Sequence, residues 1–270
     1  MKYSAPRGTR DILPDEGIKR KHIVNIIINL LETHGYQEIK TPIFEQTNLF
    51  ARGIGTLTDI VEKEMYNFKD KKNRCLTLRP EGTASIARAY IENNLSRSGF
   101  KKLYYYGPMF RYERPQAGRY RQFEQIGIEA IGSANAMVDA EVILIGLRIC
   151  QKIGINKTKV LINSVGCPIC RPVIREQLRS FITNSLKYLC SDCQRRYSKN
   201  PLRILDCKKE KCKTYFAGLP SPIKVLCQEC TDHYNTVLNY LESIKIKYKV
   251  DPFLVRGLDY YTKTVFEIST

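Results

Sequence analysis

Two runs of alternating residues, 103–113 and 121–131, with Pro115 and Gly118 between them, constrain this chain's fold more than any other feature. A strand turns successive side chains to opposite faces, and the proline–glycine punctuation predicts an antiparallel hairpin. Residues 110–129, FRYERPQAGRYRQFEQIGIE, hold four arginines, three glutamines and three glutamates. Met109, Arg111 and Glu113 share a face of the first strand, and Arg121, Phe123, Gln125, Gly127 and Glu129 share a face of the second. Ile126, Ile128 and Ala130 point the other way, into an apolar layer. Charges beside an apolar layer are costly unless paired or bound, so this row reads as a ligand floor; the plainer alternative is a solvated sheet face.

Of the chain's 270 residues, 44 are Lys or Arg and 27 are Asp or Glu, a net charge of +17 that attracts phosphates and suits a nucleotide or RNA partner. The length allows one large domain and a smaller one. With no apolar run of about 18 residues and no charged-then-apolar leader, a membrane span and a secretory signal are not expected, and the expected location is cytoplasmic.

Pro14, Asp15 and Glu16 form a helix-start signal, and Ile23, Ile26, Ile27, Leu30 and Leu31 recur at helical spacing before Gly35. Residues 36–45 read as a strand interrupted by Pro42, which belongs at an edge or an interface. His22 and His34 read as surface or core residues and not as ligands. Residues 75–95 predict a strand, a turn at Pro80 to Gly82 and a helix with Thr83 near its start. A glutamate at such a turn, Glu81, can present its carboxylate to an ammonium group; Thr83 either caps the helix or binds the ligand.

Eight of the ten cysteines form four close pairs: Cys167 with Cys170, Cys190 with Cys193, Cys207 with Cys212, and Cys227 with Cys230. Three pairs are C-x2-C, the spacing that lets two thiolates of one turn reach one metal, so four pairs provide one or two structural zinc sites. Reduced packing cysteines are the alternative, and His233 is a substitute ligand. Cys75 and Cys150 read as core. Residues 161–250 carry sixteen Lys or Arg against seven Asp or Glu, a net +9.

The hairpin resembles the second signature motif of class II aminoacyl-tRNA synthetases. With APRGTRDILP at 5–14, TLRPEGTA at 77–84 and LVRGLDYYTKTVFE at 254–267, in that order, the whole chain resembles the histidyl-tRNA synthetase family, to which RGLDYY is specific. The resemblance implies an α+β fold, a class II synthetase-like antiparallel sheet flanked by helices with an inserted small cysteine-rich domain. Residues 1–160 are then the first part of the catalytic core, 161–250 the inserted basic domain and 251–270 the return to the core. The chain stops at Thr270, ahead of the family's glycine-rich third motif and anticodon-binding domain, so it is expected to be a fragment of an enzyme that joins L-histidine to tRNA(His). A homodimer built on the Pro42 region and contact of the insertion with the tRNA acceptor arm are also implied. The cysteine pairs are not part of the family's general pattern.

The resemblance further implies a division of labour. Arg111 contacts the α-phosphate of ATP and the histidine carboxylate, and Arg256 meets the phosphate from the opposite side. Glu113 and Arg119 contact the adenine edge and the γ-phosphate, Phe123 stacks on adenine, and Mg2+ screens the triphosphate. Glu81 and Gln125 hold the amino group; Glu129 and Tyr261 read the imidazole nitrogens; Gly82, Thr83 and Tyr260 complete the histidine set. On a regular strand Tyr260 and Tyr261 face opposite ways, leaving one for the wall of the site. Two rivals are a non-catalytic regulatory paralogue, a subunit of ATP phosphoribosyltransferase, and a zinc-binding RNA module on an inactive fold. The hairpin arginine, RGLDYY and the basic insertion speak against the regulator.

Overall fold

The structure, a computed structural model, describes residues 3–55, 58 and 60–270. The chain divides into two compact units, one running up to Ala134 and including Gln151–Gly154, the other made of Asn135–Cys150 and Ile155–Thr270.

In the first unit, helix α1 (Pro14–Thr33) starts at a proline that lacks the N–H the first turn cannot use, with Asp15 and Glu16 at its positive end. It ends ahead of Gly35, whose φ of +79° suits glycine. Strands β1 (Gln37–Glu38) and β2 (Phe44–Gln46) flank Pro42. Helix α2 (Thr47–Ile54), strands β3 (Tyr66–Lys69) and β4 (Cys75–Leu78) and helix α3 (Thr83–Glu92) follow. The predicted hairpin is β5 (Lys101–Phe110) and β6 (Gln122–Ile131), antiparallel, with Met109 opposite Phe123 and Leu103 opposite Glu129. β1 adds to β5 in parallel, while β2, β4 and β3 form a separate antiparallel sheet.

Both faces of the hairpin are covered, so the apolar layer is not confined to the side of Ile126. The face of Gln125 and Glu129 also carries Leu103, Tyr105, Met109 and Phe123, which pack on Ile86 of α3. The expected polar floor is therefore half apolar, because β5 supplies its hydrophobic members. On the other face, Tyr106, Glu124 and Ile126 meet Arg20, Ile23, Val24 and Ile27 of α1 around a cavity of about 150 Å³. Tyr105 sets a steric condition: its ring lies where a Cβ on either Gly82 or Gly127 would stand.

In the second unit, α4 (Ala136–Lys152) leads to β7 (Lys159–Ser164), and α5 (Cys170–Ile182), α6 (Ser191–Lys199), α7 (Glu210–Thr214) and α8 (Gln228–Ser243) precede β8 (Tyr248–Val250) and β9 (Thr264–Ser269). β7 is central, antiparallel to β9 and parallel to β8. Ala136, Ala140 and Ile143 of α4 and Tyr234, Val237 and Leu241 of α8 pack against Val160 and Ile162. The helical insertion has a core of its own, in which Ile174, Leu178, Leu202, Ile204 and Phe216 surround cysteines.

The fold is α+β; among the described residues the strands form three three-stranded sheets with two parallel pairings. The two compact units meet in the sequence near Ala134, and the pairing of β7 with β8 and β9 draws residues 159–164, 248–250 and 264–269 into one body. Among the described residues, no helix is long and apolar enough to cross a membrane.

Gly127→Ala is expected to destabilise the first unit by about 2–4 kcal/mol, since the methyl group must displace the Tyr105 ring. Combined with Tyr105→Leu the two losses should fall well short of additive in urea titrations; additivity would show that the ring is not the obstacle.

Candidate active site

The N-terminus of α3 gathers most of the expected histidine-binding residues. Glu81, only 3% exposed, accepts the backbone N–H groups of Thr83 at 2.7 Å and Ala84 at 2.8 Å. The glutamate therefore caps the helix, and the Thr83 hydroxyl is left to donate to Glu129 Oε1 at 2.6 Å. Gln125 Nε2 donates to the Tyr105 hydroxyl at 2.8 Å on the same floor. Burial is the main cause that pushes Glu81 above the usual carboxylate range. It pushes Glu129 up to about 7, against the Thr83 hydrogen bond and helped by the neighbouring Glu81 charge. Two carboxyls so placed can hold a proton or an ammonium or imidazolium group between them.

Arg111 borders this floor. Its Nε donates to Pro80 O at 2.9 Å and its guanidinium lies 5.3 Å from the centre of the Phe123 ring. Phe123 is thus a support for Arg111 and part of the Ile86 cluster, in addition to any face it offers a base. Across the loop, Arg119 pairs with Glu113 at 3.2 Å, and Arg121 lies over the Tyr112 ring at 3.8 Å. Arg121 N–H donates to Gly8 O at 2.7 Å, which ties the N-terminal segment to the hairpin.

The RGLDYY residues belong to the second unit. Arg256 pairs with Glu267 at 2.9 Å. Tyr260 and Tyr261 lie in a turn before β9 and not on a strand, so their rings stack, 5.0 Å apart, where opposite faces were expected. Arg171, Arg175, Arg203, Arg256, Asp259 and Tyr261 line a cavity of about 40 Å³.

The eight insertion cysteines assemble into two groups of four. Cys167, Cys170, Cys227 and Cys230 form one, here the root tetrad, and Cys190, Cys193, Cys207 and Cys212 the other, the inner tetrad; within each, the sulfurs lie within 4.8 Å of one another. The separations are 3.7 Å for Cys167–Cys170, 3.8 Å for Cys167–Cys227 and 3.9 Å for Cys190–Cys207. Four sulfurs around a tetrahedral ion with bonds of about 2.3 Å stand about 3.8 Å apart. A disulfide needs about 2.05 Å. Backbone N–H groups of Cys227 and Cys190 point at the sulfurs of Cys170 and Cys212, at 3.1 and 3.3 Å. The Cys170 N–H leads in drawing the Cys167 thiol down to about 6, whereas burial pushes Cys230 and Cys193 far up. Each tetrad can hold a metal ion, and four thiolates can coexist there only around a cation. His233 is not a member; its Nε2 meets Asp139 at 2.9 Å. Cys75 is exposed and Cys150 half-buried, so neither is the core residue expected, Cys75 because it opens a short strand that pairs with the exposed Lys69.

A sequence profile of the family described as histidyl-tRNA synthetase matches residues 8–178. The chain belongs to that family. A histidine–tRNA ligase of Desulforamulus reducens is 54% identical over all of this chain, which spans 65% of that protein's length. The structure of apo S. aureus histidyl-tRNA synthetase is similar, with a TM-score of 0.78 and 43% identity over 99% of this chain and 61% of that one. A protein described as an ATP phosphoribosyltransferase regulatory subunit/histidyl-tRNA synthetase, from Bacillus halodurans, superposes with a TM-score of 0.69 at 25% identity, over 98% of this chain and 72% of its own.

Within a histidyl-tRNA synthetase chain, then, the first unit brings Glu81, Gly82, Thr83, Gln125 and Glu129 together beside Arg111, and the second unit holds Arg256, Tyr260 and Tyr261. Tyr105 escaped sequence reasoning, although it receives Gln125 and fills the space left by two glycines. Its place in a YYYG run looks like any aromatic strand, and only the paired glycines could have marked it. Arg79 was also missed: 6% exposed, it donates to Pro108 O and Thr41 O and braces the start of the loop.

Glu129 makes stability depend on pH. A carboxyl raised in the fold favours its protonated form, so the contribution is complete below about 4.5 and is lost as the pH rises through about 7. Unfolding measured from pH 4.5 to 8 should show Glu129→Gln gaining on the wild type as the pH rises, by on the order of 3 kcal/mol; parallel curves would mean that Glu129 is ionised throughout.

Proposed function

We propose that this chain is the activating part of a histidine–tRNA ligase, which makes histidyl-adenylate from L-histidine and ATP and passes the histidyl group to tRNA(His). The observation that carries the reading is the Glu81–Thr83–Glu129 group beside Arg111, with Glu81 buried and Thr83 and Glu129 half-buried, in a member of this family. An imidazole and an ammonium group need carboxylates and hydroxyls, and a site whose buried polar groups would otherwise stay unpaired rejects isosteres strongly. Glu81 and Gln125 serve the amino group, Glu129 and Tyr261 the ring nitrogens, with Gly82, Thr83 and Tyr260 in support.

In the activation step a carboxylate oxygen of histidine bonds to the α-phosphorus as the bond to the β-phosphate oxygen breaks, and pyrophosphate leaves with Mg2+. Charge grows on the α-phosphate oxygens, and Arg111 and Arg256 are assigned to stabilise it. Glu113, Arg119 and Phe123 are assigned to ATP. Because Arg256 already has Glu267 as a partner, that carboxylate holds the guanidinium ready.

The reading includes a homodimer, structural zinc held by the insertion cysteines and a cytoplasmic location. A dimer is supported by exposed apolar side chains around Pro42, among them Ile43, Phe44 and Phe68, with Ile91 at 73% exposure. Contact with tRNA is supported by the basic insertion, where Tyr188 and Tyr215 stack 5.7 Å apart and Lys187 lies 5.0 Å from the Tyr188 ring. The regulatory alternative has support in the likeness to the Bacillus halodurans protein, but regulation gives no use to the hairpin arginine or RGLDYY.

Histidine-dependent exchange of pyrophosphate with ATP, measured on the full-length protein, is the test. Arg256→Ala should lower turnover by about 10²–10³ with little rise in the KM for histidine, as for a cation aimed at transition-state charge. A KM effect alone would remove that role, and absence of exchange in the wild type would favour the regulator. Arg111→Lys should lose at least about tenfold in kcat/KM, since an ammonium cannot reproduce a bidentate fork.

A further inference from the structure

Among the residues that hold the segment carrying Asp259, Tyr260 and Tyr261, three are chain neighbours of thiols of the root tetrad. Arg171, next to Cys170, donates Nη1–H to Asp259 O at 3.2 Å and Nη2–H to Tyr261 O. Gly166, next to Cys167, accepts the Lys263 N–H at 3.0 Å, while Val165 N–H donates to Lys263 O at 2.9 Å. Glu229, next to Cys230, accepts from Lys263 Nζ at 2.8 Å. Lys263 has a φ of +56°, a state that a side-chain-bearing residue keeps when its surroundings enforce it. The inner tetrad's link to the segment runs through a side chain farther along the chain from its thiols. Asn200, seven residues from Cys193 and from Cys207, reaches only the Asp259 carboxylate, at 3.0 Å.

We infer that the root tetrad is a zinc centre that positions the 259–263 segment, and that the inner tetrad is a second zinc centre serving the insertion's own fold. The step from position to histidine recognition rests on the function proposed above. A metal with four thiolates fixes the turn at 167–170 against the turn at 227–230. Without it, no bond joins the sulfurs at 3.7–3.8 Å, and anchors on the two turns no longer share one frame. Arg171 is then a positioning residue: it holds two backbone carbonyls in place and sets a positive charge beside a centre of net charge about −2.

The test uses full-length protein purified without chelator, with zinc counted by atomic absorption and amide hydrogen exchange followed at residues 257–263. The wild type should carry two zinc ions per chain. Cys167→Ser with Cys170→Ser should leave one and speed exchange in that segment by at least about tenfold, whereas Cys190→Ser with Cys193→Ser should leave one and change it by less than about twofold. Arg171→Ala should keep both ions, speed the same amides, and raise the KM for histidine about tenfold with that for ATP little changed. Metal-free wild type with eight freely titrating thiols overturns the zinc centres. Two bound ions with equal exchange in both double variants overturns the positioning role and leaves the metal standing. If the root variant unfolds, Arg171→Ala decides, and unchanged exchange in it overturns the proposal. If the wild type shows no pyrophosphate exchange, the synthetase reading falls while the amide data still decide the positioning.

Discussion

Two carboxyl groups withdrawn from solvent on one floor, Glu81 fully and Glu129 in part, impose the condition that organises the first unit. Glu81 and Glu129 cannot both be charged in a low-dielectric site unless donors or a cation answer them. Glu81 is answered by the first free N–H groups of α3, which fixes where that helix begins. Glu129 has one hydroxyl donor, and partial burial raises its carboxyl to about 7. The glycines flanking Tyr105 let α3 and β6 close on its ring.

The second unit meets a similar condition with sulfur. Thiols gathered at tetrahedral spacing are unfavourable neighbours as anions and poor packing as neutral groups with idle hydrogens, and the arrangement has the chemistry of a metal-binding group. The insertion's hydrophobic core is built around those sulfurs and not apart from them.

Local pattern was legible wherever neighbours in sequence are also neighbours in space. The hairpin, the Pro14 helix and the strand–turn–helix around Pro80 follow from periodicity and punctuation, and each lies where it was expected. Cysteine spacing named the eight thiols but not their partners, since pairing Cys167 with Cys227 depends on a return of the chain that no local signal records. The same limit hid Tyr105 and Arg171, whose roles come from residues 20 and 90 positions away. Tyr260 and Tyr261 were misread for the opposite reason, because alternation was assumed where the chain turns.

The tetrads are nested: the inner one closes loops within a stretch that the root one spans, the latter linking Cys167 to Cys227 across 60 positions and the former Cys190 to Cys207 across 17. Loop-closure entropy grows only with the logarithm of length, about 0.6 kcal/mol per doubling. A clasp at the neck therefore isolates the sheet from whatever lies beyond it. With the neck tied, lengthening or shortening the interior of the insertion carries little thermodynamic consequence for β7 and β9. Change inside the insertion is in that case uncoupled from the register of the strands beneath it.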